Sequence, residues 1–599
     1  MQKGTGNHTL EGAGFHRALD GIEDGEVFDA VVIGGGINGI ATYRELSLQG
    51  LNVLLVERDD FCSKASAAPS RMIHGGLRYL ENAEFDLVKE SLFERNRLLE
   101  NAPHYVRPLE THIPLYSWSA GLLSAGLRFF GLNQKTSDRG ALVVKTGLAI
   151  YDFFTRRDQI MPKHSLYTLR ETRRRWPGYA EAVKCSASYY DAWISAPERL
   201  AIELIQDGEQ NQNKPHALNY TEARIGHDGS VILTDKITGN EKSVVSHHIV
   251  NATGAWIDLT NEGVNLASRY IGGTKGSHII VDNPAMVRAL DGAMVYYENA
   301  ENRVCIMFPY LGKVLIGSTD IPVSDPDSVI CTQEEVDYIL TSVKHIFPDV
   351  EIREEDICYR FSGVRPLGTA NTASTGQIPR SHALKCDVLE TGEQNSSEPL
   401  RVYSMVGGKW TTFRGFAEQA CDTVLAELSK PRKVSTRDRR IGGGKAYPMG
   451  KTALDIYLKN LRDEYQISAE RASILLSRYG TACEAVLSFI QAGEDTSLSS
   501  LPEYSVRELT YLVKTEYVVK PLDLIQRRST IAIEGKVNPA VLAETTLLLA
   551  QLHGWDDTRT AEEYKEAAES LNYHNGYDID PAGMFGRESI DNSGKVLCM

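Results

Sequence analysis

The spacing of apolar positions along this chain predicts a mixed α/β fold followed by helices. Residues 30–33 and 51–56 are short apolar runs rich in valine, isoleucine and leucine, which is typical of buried parallel strands, and the segment between them has helical spacing. Residues 216–250 alternate between apolar and polar positions in the manner of antiparallel strands. After residue 444 the apolar spacing is helical, which indicates a separate all-helical C-terminal domain.

Further strand-like runs between the two ends of the α/β region predict a second sheet, and with it a substrate domain. These runs cover residues 277–281, 293–297, 304–309 and 314–318. We therefore divide the chain into a polar leader at 1–27, interleaved nucleotide-binding and substrate domains at 28–429, a helical domain at 445–580 and a tail at 581–599. Within the second of these, the nucleotide-binding parts are expected at about 28–110, 216–256 and 400–429.

The turn between the first two predicted strands carries a dinucleotide-binding pattern. Gly34, Gly36 and Gly39 form G-x-G-x-x-G, in which the glycines permit a tight turn, close approach of a pyrophosphate and close packing of the helix. The following helix presents its positive N-terminal end to the phosphates. Glu57 ends the second strand, where a carboxylate can accept from both ribose hydroxyls and would repel a 2′-phosphate. FAD or NAD therefore fits this site better than NADP.

Composition limits the classes of protein, partner and binding site that we expect. Apolar residues make up 42% of the chain and charged residues 24%, as in globular proteins that bury a full core. The net charge of −15 disfavours a nucleic-acid partner. Nine cysteines occur without a C-x-x-C pair, and the histidines lack ligand spacing, so we expect neither a disulfide framework nor a metal site. No uncharged apolar run is long enough to span a bilayer.

Residues 115–155 have few charges and are followed by a basic cluster that includes Arg170, Arg173, Arg174 and Arg175. An apolar surface beside such a cluster can settle on an anionic membrane interface. The same pattern also fits an amphipathic helical hairpin that packs on the protein itself. The sequence leaves both interpretations open.

Several longer motifs resemble the FAD-dependent glycerol-3-phosphate dehydrogenase and oxidase family. In chain order they are VVIGGGINGIATYREL, SRMIHGGLRYLENAEFDLVKESL, NATGAW, KGSHIIV, IGSTD, FSGVRPL, GGKWTTFR and, in the helical segment, TYLVKTEYVVKPLDLIQRRS. The resemblance implies an α/β fold with a glutathione-reductase-type FAD domain, a mixed-sheet substrate domain and an all-α C-terminal domain.

The same resemblance implies noncovalent FAD and oxidation of sn-glycerol 3-phosphate to dihydroxyacetone phosphate, with electrons passing to a membrane quinone. Oxygen as the acceptor, another polyol phosphate as the substrate, and a flavin-binding redox sensor without catalysis are the alternatives. We expect a cytoplasmic protein associated peripherally with the cytoplasmic membrane, and a homodimer is left open.

A flavin that oxidises a secondary alcohol needs a base for the hydroxyl proton and cations for the phosphate. His74 is our candidate base, because it precedes a Gly-Gly pair and its unperturbed pKa lies near working pH; the alternative is a histidine that only orders its loop. The resemblance adds Arg365 and His278 to the catalytic set. It implies substrate contacts from Arg78, Tyr79, Arg365, Arg380 and Lys409.

Contacts to FAD are expected from two groups of residues. The first is the glycine turn with Glu57. The second consists of later loop positions, namely Ser66, Ser70, Ala252, Gly254, Gly408, Lys409 and Thr411. The sequence departs from the family around the substrate: Ser195-Ala196 replace an acidic pair, and GTANTASTG follows the GVRPL motif. These changes keep open a larger sugar-alcohol phosphate, such as an erythritol phosphate.

Overall fold

The computed structural model describes residues 19–82, 84–118, 140–156, 158–214, 216–226, 229–299, 301, 303–369, 381–389 and 399–583. By its contacts the chain forms two compact units. The larger is Glu23–Tyr447 with Tyr479–Thr481, and the smaller contains the remainder, of which residues 19–22, 448–478 and 482–583 are described. The predicted fold class, mixed α/β with a helical C-terminal region, is confirmed. The predicted domain boundaries stay a prediction.

Twenty strands are present among the described residues of the larger unit. They are β1 Glu26–Val27, β2 Ala30–Ile33, β3 Val53–Val56, β4 Met72–Ile73, β5 Val106–Leu115, β6 Ser165–Tyr167, β7 Cys185–Ile194, β8 Ala217–Leu218, β9 Thr221–Ile225, β10 Ser230–Asp235, β11 Glu241–Val245, β12 His248–Asn251, β13 Thr274–Val281, β14 Met294–Glu298, β15 Val304–Tyr310, β16 Lys313–Gly317, β17 Ile321–Pro322, β18 Ile357–Arg365, β19 Ala383–Leu389 and β20 Leu400–Val406.

The α-helices of the described residues fall into two groups along the chain. Those before residue 430 are α1 Ile37–Leu48, α2 Phe85–Asn101, α3 Ala141–Thr155, α4 Leu169–Arg175, α5 Pro197–Glu209, α6 Ile257–Glu262, α7 Pro284–Leu290, α8 Gln333–Ile346 and α9 Phe413–Glu427. Those after it are α10 Lys451–Tyr465, α11 Ala469–Tyr479, α12 Cys483–Gln491, α13 Val506–Thr515, α14 Pro539–His553 and α15 Asp557–Asn575.

The nucleotide-type sheet has six strands in the order β19-β20-β12-β2-β3-β8. Its β20, β12, β2, β3 and β8 run parallel, and only β19 is antiparallel. Helices pack beside the central strands, so β2 and β3 are buried throughout. This explains why their sequences are almost continuously apolar. Strands that lie far apart in sequence therefore end at one edge of the sheet.

The second, larger sheet is mixed, and it contributes residues to the candidate site described below. Its order is β17-β13-β16-β15-β14-β5-β7-β4, with β18 paired to β13 and β6 paired to β7. Its core contains Trp176, Val281 and Phe347, which are all fully buried. A four-stranded sheet, β1-β11-β10-β9, completes the unit. Much of the predicted antiparallel region at 216–250 lies in this small sheet, while β8 and β12 join the parallel one.

Segment 115–155 is described only at its two ends. Strand β5 ends at Leu115, residues 119–139 lie outside the described part, and α3 covers Ala141–Thr155. Ala141, Leu148, Tyr151 and Thr155 are buried, whereas Leu142 and Phe153 are 46% and 56% exposed. Of the helices in the described residues, none has the length and apolar character needed to cross a bilayer.

Candidate functional site

A cavity of about 530 Å³ lies where β2, β3 and β12 end. In open α/β sheets this edge is where ligands bind. The cavity is lined by the 34–36 turn, by Glu57 and by a loop at 63–66, and on its other side by residues 252–256. It contains the predicted residues Gly34, Gly36, Glu57, Ser66, Ala252 and Gly254.

The glycine turn is required by close backbone packing. Gly34 has φ +109°, and a Cβ there would lie 2.6 Å from the carbonyl oxygen of Ala252. A Cβ at Gly39 would lie 2.0 Å from the carbonyl oxygen of Gly34, so α1 rests directly on the turn. No larger side chain fits these two positions.

Glu57 and Ser66 hold the two sides of this turn. One Glu57 oxygen accepts from the Gly35 N–H at 2.6 Å, and the other accepts from the Asp59 N–H at 2.9 Å. Burial raises the pKa of the Glu57 carboxyl, and these two bonds partly oppose the rise. The Ser66 hydroxyl accepts from the Ile37 N–H at 2.9 Å and so caps α1, whose own N-cap residue, Gly36, has no side chain.

A second cavity of about 240 Å³ adjoins the first. The two cavities share Ile37, Asn38, Ala65, Ser66 and Pro366 as lining residues, so an extended ligand can occupy both. The smaller cavity brings together most of the remaining predicted residues. These are Ser70, His74, Tyr79, His278, Arg365, Gly408, Lys409 and Thr411.

One wall of the smaller cavity carries His74, Tyr79 and Lys409. The Lys409 ammonium lies 4.3 Å above the Tyr79 ring and donates to the Ser91 hydroxyl at 3.2 Å. The His74 and Tyr79 rings are 6.0 Å apart, centre to centre. A cation above an aromatic face is stabilised electrostatically. The Tyr79 ring and the Ser91 hydroxyl therefore hold Lys409 at the cavity.

A second group of lining residues includes His278, whose Nε2 lies 2.9 Å from the Ser70 hydroxyl. Its ring stacks on Phe361 with centres 5.0 Å apart, and the side chain is buried. Burial, followed by the positive charges of Arg365 and Arg71, lowers the pKa of His278 from 6.5 to about 3. His278 is therefore neutral at pH 7 but a weak proton acceptor, so it suits a hydrogen-bonding role better than proton abstraction.

Arg365 ends β18 and lines the same cavity. Its guanidinium donates to Asp320 at 3.0 Å, to the Ser318 hydroxyl at 3.1 Å and to the Thr319 carbonyl at 3.2 and 3.3 Å. The side chain remains 24% exposed. These contacts fix the plane of the guanidinium and leave part of it at the cavity surface.

Two predicted cations cannot be placed in full. Arg380 lies outside the described residues, and of Arg78 only the backbone is described, within the 3₁₀-helix Leu77–Asn82. Three residues that contribute to the site were missed. Asn38 donates to the Gly407 carbonyl at 3.0 Å, Asp320 orients Arg365, and Asp191 accepts from the Gly75 N–H at 2.8 Å. Asp320 lies within the quoted IGSTD motif, so the motif was a usable signal.

The chain matches two described family profiles. Residues 29–391, more than half of the chain, match the family described as FAD dependent oxidoreductase. Residues 434–560 match the C-terminal domain of alpha-glycerophosphate oxidase. The two matches cover the two regions that the sequence pattern separates.

Curated relatives match over most of their length. A glycerol-3-phosphate dehydrogenase of Synechocystis sp. is 31% identical over 553 residues, covering 88% of this chain and 93% of the relative. A D-erythritol 1-phosphate dehydrogenase of Brucella abortus is 30% identical over 511 residues, covering 84% and 94%. Among solved structures, a glycerol-3-phosphate dehydrogenase from Bacillus halodurans complexed with FAD has a TM-score of 0.67 and 22% identity, covering 91% of this chain and 94% of that one. That structural likeness shows the fold.

Proposed function

Because this chain belongs to the family of FAD-dependent glycerol-3-phosphate dehydrogenases, we propose that it oxidises sn-glycerol 3-phosphate to dihydroxyacetone phosphate and passes the electrons to a membrane quinone. One observation carries this proposal. A cavity with a dinucleotide-type glycine turn continues into a smaller cavity lined by a titratable histidine and two cations, His74, Arg365 and Lys409.

The residues around the two cavities fit FAD, the cofactor of the family. The 34–36 turn and the N-terminus of α1 would hold the pyrophosphate, and Glu57 would accept from the ribose hydroxyls. Gly408, Lys409 and Thr411 line the smaller cavity, where they would face the ring end of the cofactor. When bound, FAD supplies the two-electron acceptor that no side chain offers.

His74 is the base in this proposal. It lines the smaller cavity and is partly exposed there, whereas the pKa of His278 is lowered to about 3, which is too low for a useful base at neutral pH. His74 would take the proton of the substrate hydroxyl as a hydride leaves the carbon that carries this hydroxyl. The neutral His278 would orient the Ser70 hydroxyl, to which it is hydrogen-bonded.

Arg365 and Lys409, which both line the smaller cavity, would bind the substrate phosphate. Arginine offers a planar fork for two oxygens, and lysine offers a point charge. Asp320 beside Arg365 reduces the net positive charge there. We therefore also propose that Arg78, Tyr79 and Arg380 complete the phosphate site, as the sequence motifs predict.

A second substrate is favoured by a specific observation. The D-erythritol 1-phosphate dehydrogenase of Brucella abortus is about as similar to this chain as the glycerol-3-phosphate dehydrogenases are. Of the places where the sequence departs from the family, Ser195-Ala196 are absent from the lining of both cavities, whereas Gly368, which follows the GVRPL motif, lines the smaller one. Erythritol 1-phosphate is one carbon longer, so the two substrates differ in the length that the smaller cavity must accept.

The exposed face of α3 supports a membrane acceptor. Leu142, Lys145, Ala149, Phe153 and Arg156 are all exposed and recur at helical spacing, and the Arg156 guanidinium lies 4.4 Å above the Phe153 ring. A face of large apolar side chains with interspersed cations suits an anionic bilayer surface. Oxygen as the acceptor, with peroxide as the product, is the alternative.

Anaerobic bleaching of the purified yellow protein tests the reaction. We expect glycerol 3-phosphate to reduce the bound FAD at a limiting rate well above that seen with glycerol. The limiting rate with erythritol 1-phosphate, compared with that of glycerol 3-phosphate, then shows which of the two substrates is preferred. Failure of every phosphorylated polyol to bleach the flavin would overturn the proposal. Mixing the reduced protein with a short-chain quinone or with oxygen then identifies the acceptor.

Vesicle flotation tests the membrane part. Phe153→Glu with Leu142→Glu should lose binding to vesicles that contain anionic lipid. Exchange of the exposed Ile456 on α10 for glutamate is the matched control, because Ile456 is 56% exposed, lines neither cavity and lies on a helix of the smaller unit. Binding that survives the α3 changes would contradict this surface.

A further inference from the structure

The peptide unit that joins His74 to Gly75 is held on both of its polar sides. Its N–H donates to Oδ1 of Asp191 at 2.8 Å, and its carbonyl accepts from the Thr411 hydroxyl at 3.3 Å. Because a peptide unit is planar, fixing both groups fixes the orientation of the plane. The backbone from which the His74 side chain leaves is therefore set from two sides.

Asp191 does not act alone at this point. The same oxygen, Oδ1, also accepts from the Arg95 guanidinium at 2.9 Å and from the Tyr151 hydroxyl at 2.6 Å. Arg95 in turn donates to the Tyr151 oxygen at 2.9 Å and to the Tyr190 carbonyl at 3.1 Å. Three elements thus meet at one carboxylate oxygen: Asp191 from β7, Arg95 from α2 and Tyr151 from α3.

The network is buried and its charges are paired. Arg95 and Asp191 have 3% and 1% of their side chains exposed. Burial, followed by the Asp191 charge, raises the pKa of Tyr151 well above its usual range, so its hydroxyl stays protonated and donates. Hydrogen bonds in such surroundings are stronger than in water and resist rearrangement.

Steric contact adds to the hydrogen bonds. A Cβ on Gly75 would lie 2.1 Å from the Tyr151 hydroxyl oxygen and 2.4 Å from a Leu92 methyl carbon. The turn after β4 therefore lies directly against the network, with no space for a side chain between them. Any displacement of Asp191 or Tyr151 would be transmitted to the backbone beside His74.

We propose that Asp191, Arg95 and Tyr151 are positioning residues that hold the His74–Gly75 peptide, and through it the His74 ring, in the orientation needed for proton abstraction. This inference rests on the proposed function, because it takes His74 as the base. The three side chains act through the backbone and are absent from the lining of both cavities. Their loss should lower the rate of flavin reduction without weakening the binding of FAD or substrate.

The test is anaerobic stopped-flow reduction of the FAD-loaded enzyme by the polyol phosphate that reduces the wild type, which separates the limiting rate constant from the apparent Kd. Asp191→Asn should lower the limiting rate constant by about 100-fold, the scale of a misplaced catalytic group. Tyr151→Phe, which leaves the Arg95–Asp191 pair in place, should lower it about tenfold, as expected for lost bonds to a charged group. In both variants we expect the apparent Kd and the FAD content to stay within about twofold of wild type.

The matched control is Tyr179→Phe. Tyr179 is buried in a different cluster, and among the described residues its hydroxyl has no hydrogen-bond partner. The FAD of the Tyr179→Phe variant should be reduced by the substrate at the wild-type rate. If Asp191→Asn fails to fold, because it leaves Arg95 buried without a counter-charge, Tyr151→Phe decides alone.

The possible results separate the inference from the proposed function. A wild-type protein that no polyol phosphate bleaches would overturn the proposed function itself. A bleachable wild type, with Tyr151→Phe and any folded Asp191→Asn equally fast, would overturn only the positioning role, even if their melting temperatures fell. A loss confined to the apparent Kd would also overturn it. Chemical reduction by dithionite should proceed alike in all variants, since it needs no base.

Discussion

The two adjoining cavities of the larger unit are built in different ways. The larger cavity is built around one strand–turn–helix segment, residues 30–57, whose glycine turn packs directly against backbone atoms. The rest of its lining comes mainly from a loop at 63–66 and from residues 221–225 and 252–263. The smaller cavity has no such central segment and collects residues from six places in the sequence, around 37–38, 65–79, 276–278, 363–368, 381 and 407–411. The centre of the first site can therefore be identified in the local sequence, whereas the second site forms only after two sheets have formed.

The two cavities also differ in how they place charge. At the turn of the larger cavity the Glu57 carboxylate accepts from two backbone N–H groups. In the smaller cavity two cations, Arg365 and Lys409, are among the lining residues, and a neighbouring carboxylate or aromatic ring holds each in place. Backbone geometry therefore governs the turn of the first cavity, and side-chain electrostatics governs the second cavity. Substitutions should separate these two kinds of dependence.

Gly34→Ala should give the largest effect, a protein without bound FAD. The new Cβ would meet the Ala252 carbonyl at 2.6 Å in a backbone conformation that L-residues rarely adopt. The absorbance of the purified protein near 450 nm measures the loss. Gly50→Ala is the control, because Gly50 also has positive φ (+80°) but lies at the far end of α1. Yellow Gly34→Ala protein would break the argument for a backbone-governed cavity.

The fold and the larger cavity could be predicted because their determinants are local. The apolar runs at 30–33 and 51–56 and the glycine spacing between them specify the strands, the turn and the helix without reference to the remainder of the chain. Predicted residues such as Ser66 and Ala252 do line the larger cavity. The hydroxyl of Ser66 as the cap of α1 was not foreseen, because the cap comes from a loop 29 positions away.

The residues of the smaller cavity were predicted from the resemblance to family motifs and not from the local apolar pattern or residue spacing. Nothing in the local spacing around Asp191 or Asp320 indicates that the first would bind the Gly75 N–H or that the second would orient Arg365. These contacts depend on the pairing of β4 with β7 and of β13 with β18. The depressed pKa of His278 likewise follows from burial beside Arg365, which a sequence does not reveal.

Substitution of the two histidines separates the roles within the smaller cavity. His74→Gln should keep FAD but lower the limiting rate of anaerobic flavin reduction by about 10²- to 10⁴-fold, the usual contribution of a general base. His278→Gln should lower it less, because a pKa lowered to about 3 makes His278 a weak proton acceptor. Stopped-flow absorbance measures both. A larger loss from His278→Gln would reverse the assignment of the base.

Arg365→Gln should raise KM for a phosphorylated polyol by about 10- to 100-fold, since each charged hydrogen bond contributes about 1.5–3 kcal/mol. KM for the corresponding unphosphorylated alcohol should hardly change. Arg360→Gln is the control: Arg360 lies on the same strand, β18, but it pairs with Glu354 and Gln333 outside the cavity. Equal effects on both substrates would remove Arg365 from phosphate binding.

Burial of His278 at the smaller cavity should make the free energy of unfolding depend on pH. The unfolded chain binds a proton at His278 near pH 6.5, whereas the folded protein does so only near pH 3, so this contribution is complete above pH 6.5 and is lost as the pH falls toward 3. Between pH 7 and pH 5, protonation of His278 in the unfolded chain should lower the free energy of unfolding by about 2 kcal/mol. Urea unfolding should therefore show a smaller acid loss for His278→Gln. An identical pH dependence would contradict a buried, neutral His278.

The smallest effect concerns an exposed ion pair at the larger cavity. Asp327 accepts from Arg58 at 2.7 Å and from the Trp256 indole N–H at 3.0 Å, and all three residues line that cavity. Asp327 is 54% exposed, and exposed pairs contribute at most about 1 kcal/mol. Asp327→Asn should therefore speed FAD dissociation by no more than about fivefold, and less at high salt.

Flavin fluorescence after dilution measures that dissociation rate. Asp282→Asn, which removes a surface partner of Lys313 away from both cavities, should leave it unchanged. A change of about 100-fold for Asp327→Asn would mean that side-chain charge, and not only the glycine turn, holds the cofactor. The contrast between the two cavities would then fail, because the larger would depend on long-range ion pairs just as the smaller does.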